Sequence, residues 1–138
     1  YGKKNGGKIA LEQVPMPFCF FYDLPEFMEL RQAVPDLGMT LDIGHAYLVK
    51  RAKGVDDPEG AIINDLKEIG VEWVSHVHLA NNRGKRDDHL VLDGDIDVKR
   101  ILKFLEQKGY GGKVIVESYD MEKQGISVVL EKLTGIMS

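Results

Sequence analysis

The feature that most constrains the fold of this 138-residue chain is a strand followed by a helix, a unit that occurs four times. The strands are near-continuous apolar runs, as expected for a parallel sheet covered on both faces; they span residues 8–14, 38–44, 72–80 and 113–119. Each strand is followed by a segment with the apolar spacing of a helix. The predicted helices span residues 23–34, 57–70, 98–110 and 125–136. The second begins near Asp57-Pro58, and Asp97 is the predicted cap of the third. This order predicts an α/β fold of four consecutive βα units with parallel strands and right-handed crossovers.

Two architectures have this order of elements. One is a small doubly wound sheet, and the other is half of a (β/α)₈ TIM barrel, because a full barrel takes about 250 residues. The apolar pattern alone does not choose between them. In both, residues 1–138 form a single domain, and the segment YGKKNGG at residues 1–7 is expected to be the end of a helix.

Composition narrows the classes of function. The net charge of −4 argues against tight non-specific binding to duplex DNA, which requires many Lys and Arg residues. No apolar run approaches the ~18 residues that span a bilayer, and no signal-peptide pattern is present. The single cysteine, Cys19, excludes an internal disulfide. We therefore expect a cytoplasmic protein without a membrane partner.

Each predicted strand carries an acid/base or metal-binding residue near its carboxyl end, namely Glu12, Asp42, His78 and Glu117. Parallel α/β folds place their chemistry at this edge of the sheet. A buried carboxylate is costly unless it is paired or bound to a metal. Three carboxylates and an imidazole at one rim therefore predict a divalent cation, and the mixed oxygen and nitrogen set suits Mn²⁺, Mg²⁺, Fe²⁺, Co²⁺ or Zn²⁺.

Histidines near the second and third strands extend this candidate site. His45 is predicted to lie in a loop just after Asp42, as a substrate contact, a support for the metal site or a second metal ligand. Asp87 and His89, spaced D-x-H, follow the third strand and can fold back over the rim. His76 is predicted to be a buried, hydrogen-bonded residue of the sheet rather than a ligand.

The loop after the third strand is also basic. Arg83, Lys85 and Arg86 precede the D-x-H pair, and such side chains can hold a phosphate or a carboxylate. We expect Arg83 to contact the substrate.

The segments ALEQVP, LDIGHA, HVHLANNRGKRDDHLVLDGDID and KGYGGKVIVES, in this order, cover nearly the whole chain. With them the sequence resembles the C-terminal half of the xylose-isomerase-like TIM barrel superfamily, which contains sugar isomerases, epimerases and the endonuclease IV group. The resemblance implies strands five to eight of a barrel. It also implies that the four strand-end residues match the metal ligands of the isomerases and epimerases.

The two branches of the superfamily imply different roles for the same residues. In isomerases and epimerases, Glu12 and Glu117 also move protons at adjacent carbons of the substrate, and His45 contacts a substrate oxygen. In the endonuclease IV branch the metal is zinc, the substrate is DNA, and His45, Asp87 and His89 are further ligands.

Three hypotheses follow from these observations. The first is a divalent-metal-dependent isomerase or epimerase of a small sugar or sugar phosphate, using Mn²⁺, Mg²⁺, Co²⁺ or Fe²⁺. The second is a zinc-dependent, endonuclease IV-like AP endonuclease or phosphodiesterase. The third is an inactive half-barrel fragment or assembly unit, because four barrel strands leave two unpaired edges. We expect such a chain to self-associate as a dimer or to pair with the missing half-barrel.

Overall fold

The computed structural model describes residues 8–91, 93–119 and 125–137, so the predicted helix end at residues 1–7 lies outside the described residues. The strands are β1 (Ala10–Glu12), β2 (Gly38–Asp42), β3 (Val74–Leu79) and β4 (Lys113–Val116). The helices are α1 (Phe27–Ala33), α2 (Ile43–Ala52), α3 (Pro58–Ile69), α4 (Val98–Gln107) and α5 (Ile126–Met137). Short 3₁₀ helices at Leu24–Glu26 and Val71–Trp73 precede α1 and β3.

The order of the strands decides between the two predicted architectures. All neighbouring pairs are parallel, and the order across the sheet is β1-β2-β3-β4, the same as along the chain. A doubly wound sheet reverses its order at a switch point, whereas the strands of a barrel follow one another in sequence. The predicted fold of four βα units in half of a TIM barrel is therefore confirmed, as an open sheet rather than a closed barrel.

Successive crossovers in one direction place the helices on one face of the sheet. The strand side chains that alternate toward this face include Leu41 and Val77, which are fully buried. They share one apolar core with Ile62 of α3 and Ile101 of α4, which are also fully buried. The opposite face carries His76, which is exposed, and Ile115, which is 43% exposed. The prediction that His76 is buried in the sheet is therefore wrong, because nothing in the described half-barrel covers the interior face at this position.

The helix α2 was missed in the sequence. A loop was predicted around His45 and the next helix near Asp57, but the chain turns from β2 directly into α2. Asp42 is the N-cap of α2, and its Oδ1 accepts a hydrogen bond from the backbone N–H of His45 at 2.8 Å. The helix is buried on nearly all sides, so it lacks the apolar stripe that marks an amphipathic helix. His45 therefore lies in the first helical turn, not in a loop.

The predicted starts of the next two helices are confirmed. Asp57 caps α3 by accepting from the N–H of Gly60 at 3.0 Å, and Pro58 occupies the first turn. Asp97 caps α4 by accepting from the N–H of Arg100 at 3.0 Å. The guanidinium of Arg100 binds both oxygens of Asp57 at 2.6 and 2.8 Å, which ties the starts of α3 and α4 together.

A buried ion cluster holds α2 against its neighbours. Lys50, whose side chain is 6% exposed, binds Asp23 at 2.8 Å and Asp65 at 2.5 Å. Lys53, whose side chain is 48% exposed, binds the other oxygen of Asp23 at 2.5 Å. Burial alone would raise the pKa of Asp23, but the two lysines outweigh it and lower that pKa. Lys50 is thus the cation that contacts both carboxylates of the cluster.

Replacing Lys50 with Met is therefore expected to destabilise the protein by about 3 kcal/mol, because two carboxylates lose their buried partner. Lys53→Met is the matched control, since it removes a half-exposed partner of the same carboxylate and should change stability by less than about 1 kcal/mol. Urea unfolding of both variants measures the difference. Equal losses in the two variants would contradict the buried-cluster interpretation.

Candidate functional site

The four strand-end residues predicted from the sequence come together at the carboxyl edge of the sheet. Glu12 and Asp42 end β1 and β2, His78 lies in β3, and Glu117 follows β4, where its N–H continues the sheet by donating to Leu79 O at 3.1 Å. One potential ligand atom from each residue lies within 4.8 Å of all the others. Opposite ligands of a divalent cation are roughly 4–5 Å apart. The spacing therefore fits a single ion.

Asp42 shows why a cation fits this group. Its side chain is fully buried, and Oδ1 is occupied by the cap of α2. Oδ2 is buried without a hydrogen-bond partner. Burial raises the pKa of Asp42 to about 6, although the nearby His45 opposes the change. A buried carboxylate oxygen without a partner is costly, and a metal ion would satisfy it.

The two glutamates approach His78 from opposite sides. The imidazole Nδ1 lies 2.9 Å from Glu117 Oε2 and 3.5 Å from Glu12 Oε2, yet it makes no hydrogen bond. The side chains of Glu12 and Glu117 are 33% and 40% exposed, whereas Asp42 is inaccessible. Both glutamates can therefore reach a molecule above the rim while they border the metal-binding group.

A second group of potential ligands adjoins the first. It consists of His45, Asp87 and His89, whose ligand atoms also lie within 4.8 Å of one another. Asp87 Oδ2 bridges the rings, at 3.0 Å from His45 Nε2 and 2.7 Å from His89 Nε2. His45 Nδ1 lies 3.4 Å from Glu12 Oε1 and connects this group to the first. The residues that the resemblance implies for a multi-metal site are therefore adjacent to the predicted metal ligands.

The electrostatics of the second group favour a protonated His45. Burial favours the neutral ring, but the hydrogen bond with Asp87 and the charge of Asp42 outweigh it and raise the pKa of His45 to about 9. The other nitrogen, Nδ1, lies 2.9 Å from the carbonyl oxygen of Gln13. Burial would raise the pKa of Asp87, but hydrogen bonding to His45 lowers it. In the absence of a cation, these residues form a charged hydrogen-bonded chain.

Two buried asparagines, which the sequence analysis did not single out, fold the D-x-H loop back over the rim. The backbone of Asn81 exchanges two 2.8 Å hydrogen bonds with Leu90, which closes the loop. The Asn82 side chain donates to Gly44 O at 2.9 Å and fixes the loop to α2. His89 has a φ of +44°, which is a sparsely populated conformation for a residue with a side chain. The sequence feature that could have identified them is their position, since two asparagines directly follow a buried strand.

A cavity of about 740 Å³ opens beside these groups. Glu117, Asp87 and the two histidines of the second group form part of its wall. Its basic residues are Arg51, Lys85 and Arg86. Arg83, the predicted substrate contact, is exposed and does not line this cavity. Arg51 of α2, which the sequence analysis did not consider, lines it instead.

The sheet order and the cluster at the strand ends define an α/β protein of the TIM barrel class. The model of the xylose isomerase-like TIM barrel family matches residues 1–134, and the chain belongs to this family. Among the described residues, no helix is both long enough and apolar enough to cross a membrane.

The chain spans about half the length of the curated relatives it matches. An uncharacterized protein of Methanocaldococcus jannaschii is 31% identical over 93% of this chain and 45% of its own length. An inosose isomerase of Halalkalibacterium halodurans is 26% identical over 91% of this chain and 44% of its own length.

Solved structures show the same relation. A D-tagatose 3-epimerase-like protein matches with a TM-score of 0.68 and 27% identity, over 96% of this chain and 51% of that one. A xylose isomerase domain protein from Planctomyces limnophilus matches with a TM-score of 0.66 and 21% identity, over 97% and 46% of the two chains. The fold of the chain is thus that of one half of these barrels.

Proposed function

We propose that this chain is the C-terminal half, strands five to eight, of a divalent-metal-dependent isomerase or epimerase that acts on a small sugar or sugar phosphate. The observation that carries the proposal is the group of Glu12, Asp42, His78 and Glu117 around a volume suited to one cation. The relatives named as an inosose isomerase and a D-tagatose 3-epimerase-like protein support a sugar substrate. Three carboxylates and one imidazole favour Mn²⁺, Mg²⁺, Co²⁺ or Fe²⁺.

The chemistry of such a reaction is proton transfer at a carbon next to a carbonyl. A bound divalent ion would supply Lewis-acid polarisation of the substrate oxygens. Glu12 and Glu117 lie on either side of His78 and are partly exposed, so one can remove the proton and the other can return it. Asp42 is buried and capped, and its role is to hold charge rather than to move protons.

His45 is assigned to the substrate in this mechanism. The nitrogens of its ring face Gln13 O and Asp87 Oδ2, and both contacts fix the orientation of the imidazole. A positively charged ring at this position can donate a hydrogen bond to a substrate oxygen on which negative charge develops. Binding of a metal ion or a substrate would replace one of these contacts.

The full-length protein in D₂O with Mn²⁺ tests the proposal. We expect NMR to show loss of the α-proton signal from one or more sugars in a panel of aldoses, ketoses, inososes and their phosphates. EDTA treatment should stop the exchange, and added Mn²⁺ should restore it. Metal-dependent nicking of abasic DNA, with no exchange in any sugar, would overturn the proposal.

One observation favours an endonuclease IV-like phosphodiesterase as the second candidate. His45, Asp87 and His89 form a further potential metal site next to the first, and imidazole-rich sets suit zinc. Under this alternative the full-length protein binds two or three zinc ions, and Asp87→Asn with His89→Gln lowers that number. A metal content of one ion per barrel, unchanged in the double variant, counts against it.

The open interior face implies a further half-barrel. β1 and β4 are the two edges of the described sheet, and His76 and Ile115 are exposed on its uncovered face. We propose that four more strands complete the barrel, from a second copy or from another segment. For residues 1–138 alone we expect dimers or larger species by light scattering, because unpaired edges and open apolar surface favour association. A monomer with a cooperative thermal transition would contradict this expectation.

A further inference from the structure

Two cations without a carboxylate partner face the cavity beside the proposed metal site. Arg51 belongs to the last turn of α2, and Lys85 lies in the loop after β3. In the part of the chain that the structure describes, neither side chain has an Asp or Glu oxygen within 4.0 Å. Like charges that converge without a counter-charge repel each other. Their common position in the lining of one cavity therefore indicates an anionic ligand.

Arg86 adds a third cation to the lining of the same cavity. Its Nε binds Asp88 Oδ1 at 2.5 Å, and its side chain is 83% exposed. A guanidinium has five N–H donors in a planar fork, so the bond through Nε leaves the terminal nitrogens for a second acceptor. Planar, two-pronged donation is the geometry that phosphate oxygens accept best.

The stem of Arg51 packs close to Gly84 in this loop. Gly84 has a φ of +71°, and a Cβ at this position would lie 3.4 Å from Arg51 Cγ and Nε and 3.3 Å from the Tyr47 ring. The stem of Arg51 and the Tyr47 ring therefore lie close to the backbone of the loop at Gly84. The N–H of Gly84 donates to Asn82 Oδ1 at 2.9 Å, which holds the turn. Arg51 is therefore positioned by packing rather than by an ion pair.

Arg51 lies about one sugar length from His45, which is the proposed contact of the reacting carbonyl. His45 and Arg51 are six residues apart on α2, which corresponds to about 9 Å along the helix axis. A sugar with its carbonyl near His45 and Glu117 would extend its far end toward Arg51. The cavity of about 740 Å³, in the usual range for ligand sites, has room for a substituent there.

We propose that Arg51, Lys85 and Arg86 form a phosphate subsite, and that the substrate is the phosphomonoester of a sugar. This assignment rests on the proposed function for the substrate, but the phosphate subsite is testable without any activity. In this proposal Arg51 contacts the substrate, in place of Arg83, which was the contact expected from the sequence. An unphosphorylated sugar would leave Arg51 and Lys85 without a counter-charge.

The first experiment measures binding of inorganic phosphate to the full-length protein after EDTA treatment, so that phosphate has no metal to bind. We expect saturable binding by calorimetry, weakened at least about 10-fold by the double substitution Arg51→Gln and Lys85→Gln. The double substitution Lys103→Gln and Lys108→Gln on the outside of α4 and just after it gives the same change in net charge. It should alter the affinity by less than about 2-fold, because exposed distant charges are screened. Thermal melts and Mn²⁺ titration verify that both proteins fold.

Absence of saturable phosphate binding, or equal weakening in the two double variants, overturns the subsite. The second experiment compares matched pairs of a sugar and its phosphate in the Mn²⁺-loaded protein. We expect about 10-fold tighter binding of the phosphate in one or more pairs, and equal binding in every pair overturns the substrate assignment. Phosphate binding through Arg51 and Lys85, together with no α-proton exchange in any sugar, would leave the subsite in place and refute the isomerase instead.

Discussion

Replacing Glu117 with Gln in the full-length protein is expected to lower turnover of the sugar substrate by about 10²–10⁴-fold, the usual contribution of a positioned acid or base. Gln has the same size and keeps an oxygen for a metal, but it cannot accept a proton. The Glu117 side chain is 40% exposed and lies 2.9 Å from His78, so it borders both the solvent and the metal-binding group. The same loss is expected for Glu12→Gln, because Glu12 occupies the corresponding position on the other side.

The two variants can be told apart by separating proton exchange from product formation. If one glutamate removes the proton and the other returns it, the variant that lacks the second group still exchanges the α-proton of the substrate with D₂O. The variant that lacks the first group exchanges nothing. Measurements at saturating Mn²⁺ separate loss of the base from weaker metal binding. Glu106→Gln, an exposed residue of α4, is the matched control. Turnover above half of the wild-type value in both site variants would refute the two-base mechanism.

The four βα units were accessible from the sequence through the periodicity of the strands and helices, and the main cluster was accessible because its members lie at strand ends. Glu12, Asp42, His78 and Glu117 were identified by position alone, and parallel strands of one sheet bring their carboxyl ends to one edge. The sheet order distinguishes the barrel from the doubly wound sheet, and it depends on packing between distant segments. Periodicity cannot reveal it, because each strand has the same apolar pattern in both architectures.

The residues that were misplaced or overlooked depend on how distant segments of the chain pack together. α2 is buried on nearly every side, so its apolar periodicity is absent and His45 was placed in a loop. His76 was expected in the core because the apolar strands predict a sheet covered on both faces. The inner face of a barrel sheet is covered only when both halves of the barrel are present, and the described half leaves His76 exposed. Arg51 was overlooked since it lines the cavity together with Gly84, which lies 33 residues later in the chain. A contact between a helix and a distant loop cannot be predicted from the sequence before the path of that loop is known.

Asp42→Asn is expected to weaken Mn²⁺ binding by about 100-fold or more, because it removes the charge of a buried potential ligand. The substitution is selective, since the Asn Oδ1 can still accept the 2.8 Å hydrogen bond from His45 N and keep the cap of α2. Asp97→Asn is the matched control. Asp97 also caps a helix, through a 3.0 Å bond to Arg100 N, but it lies in an exposed position. Isothermal titration with Mn²⁺ measures both, and equal affinities in the two variants would show that Asp42 is not a ligand.

The metal-free protein gives a second, independent result for Asp42. Its pKa is raised from 3.8 in the unfolded chain to about 6 in the folded one, so between these values the folded state holds a proton that the unfolded state has released. Stability should therefore fall as pH rises from about 4 to 6, by up to about 3 kcal/mol from this group. His45 does not contribute in this range, since its own effect on stability changes only between pH 6.5, the ordinary pKa of a histidine, and its raised pKa of about 9. The difference in unfolding free energy between wild type and Asp42→Asn isolates this slope, because the other groups cancel. A bound cation should abolish the slope, since it stabilises the ionised carboxylate that burial alone disfavours.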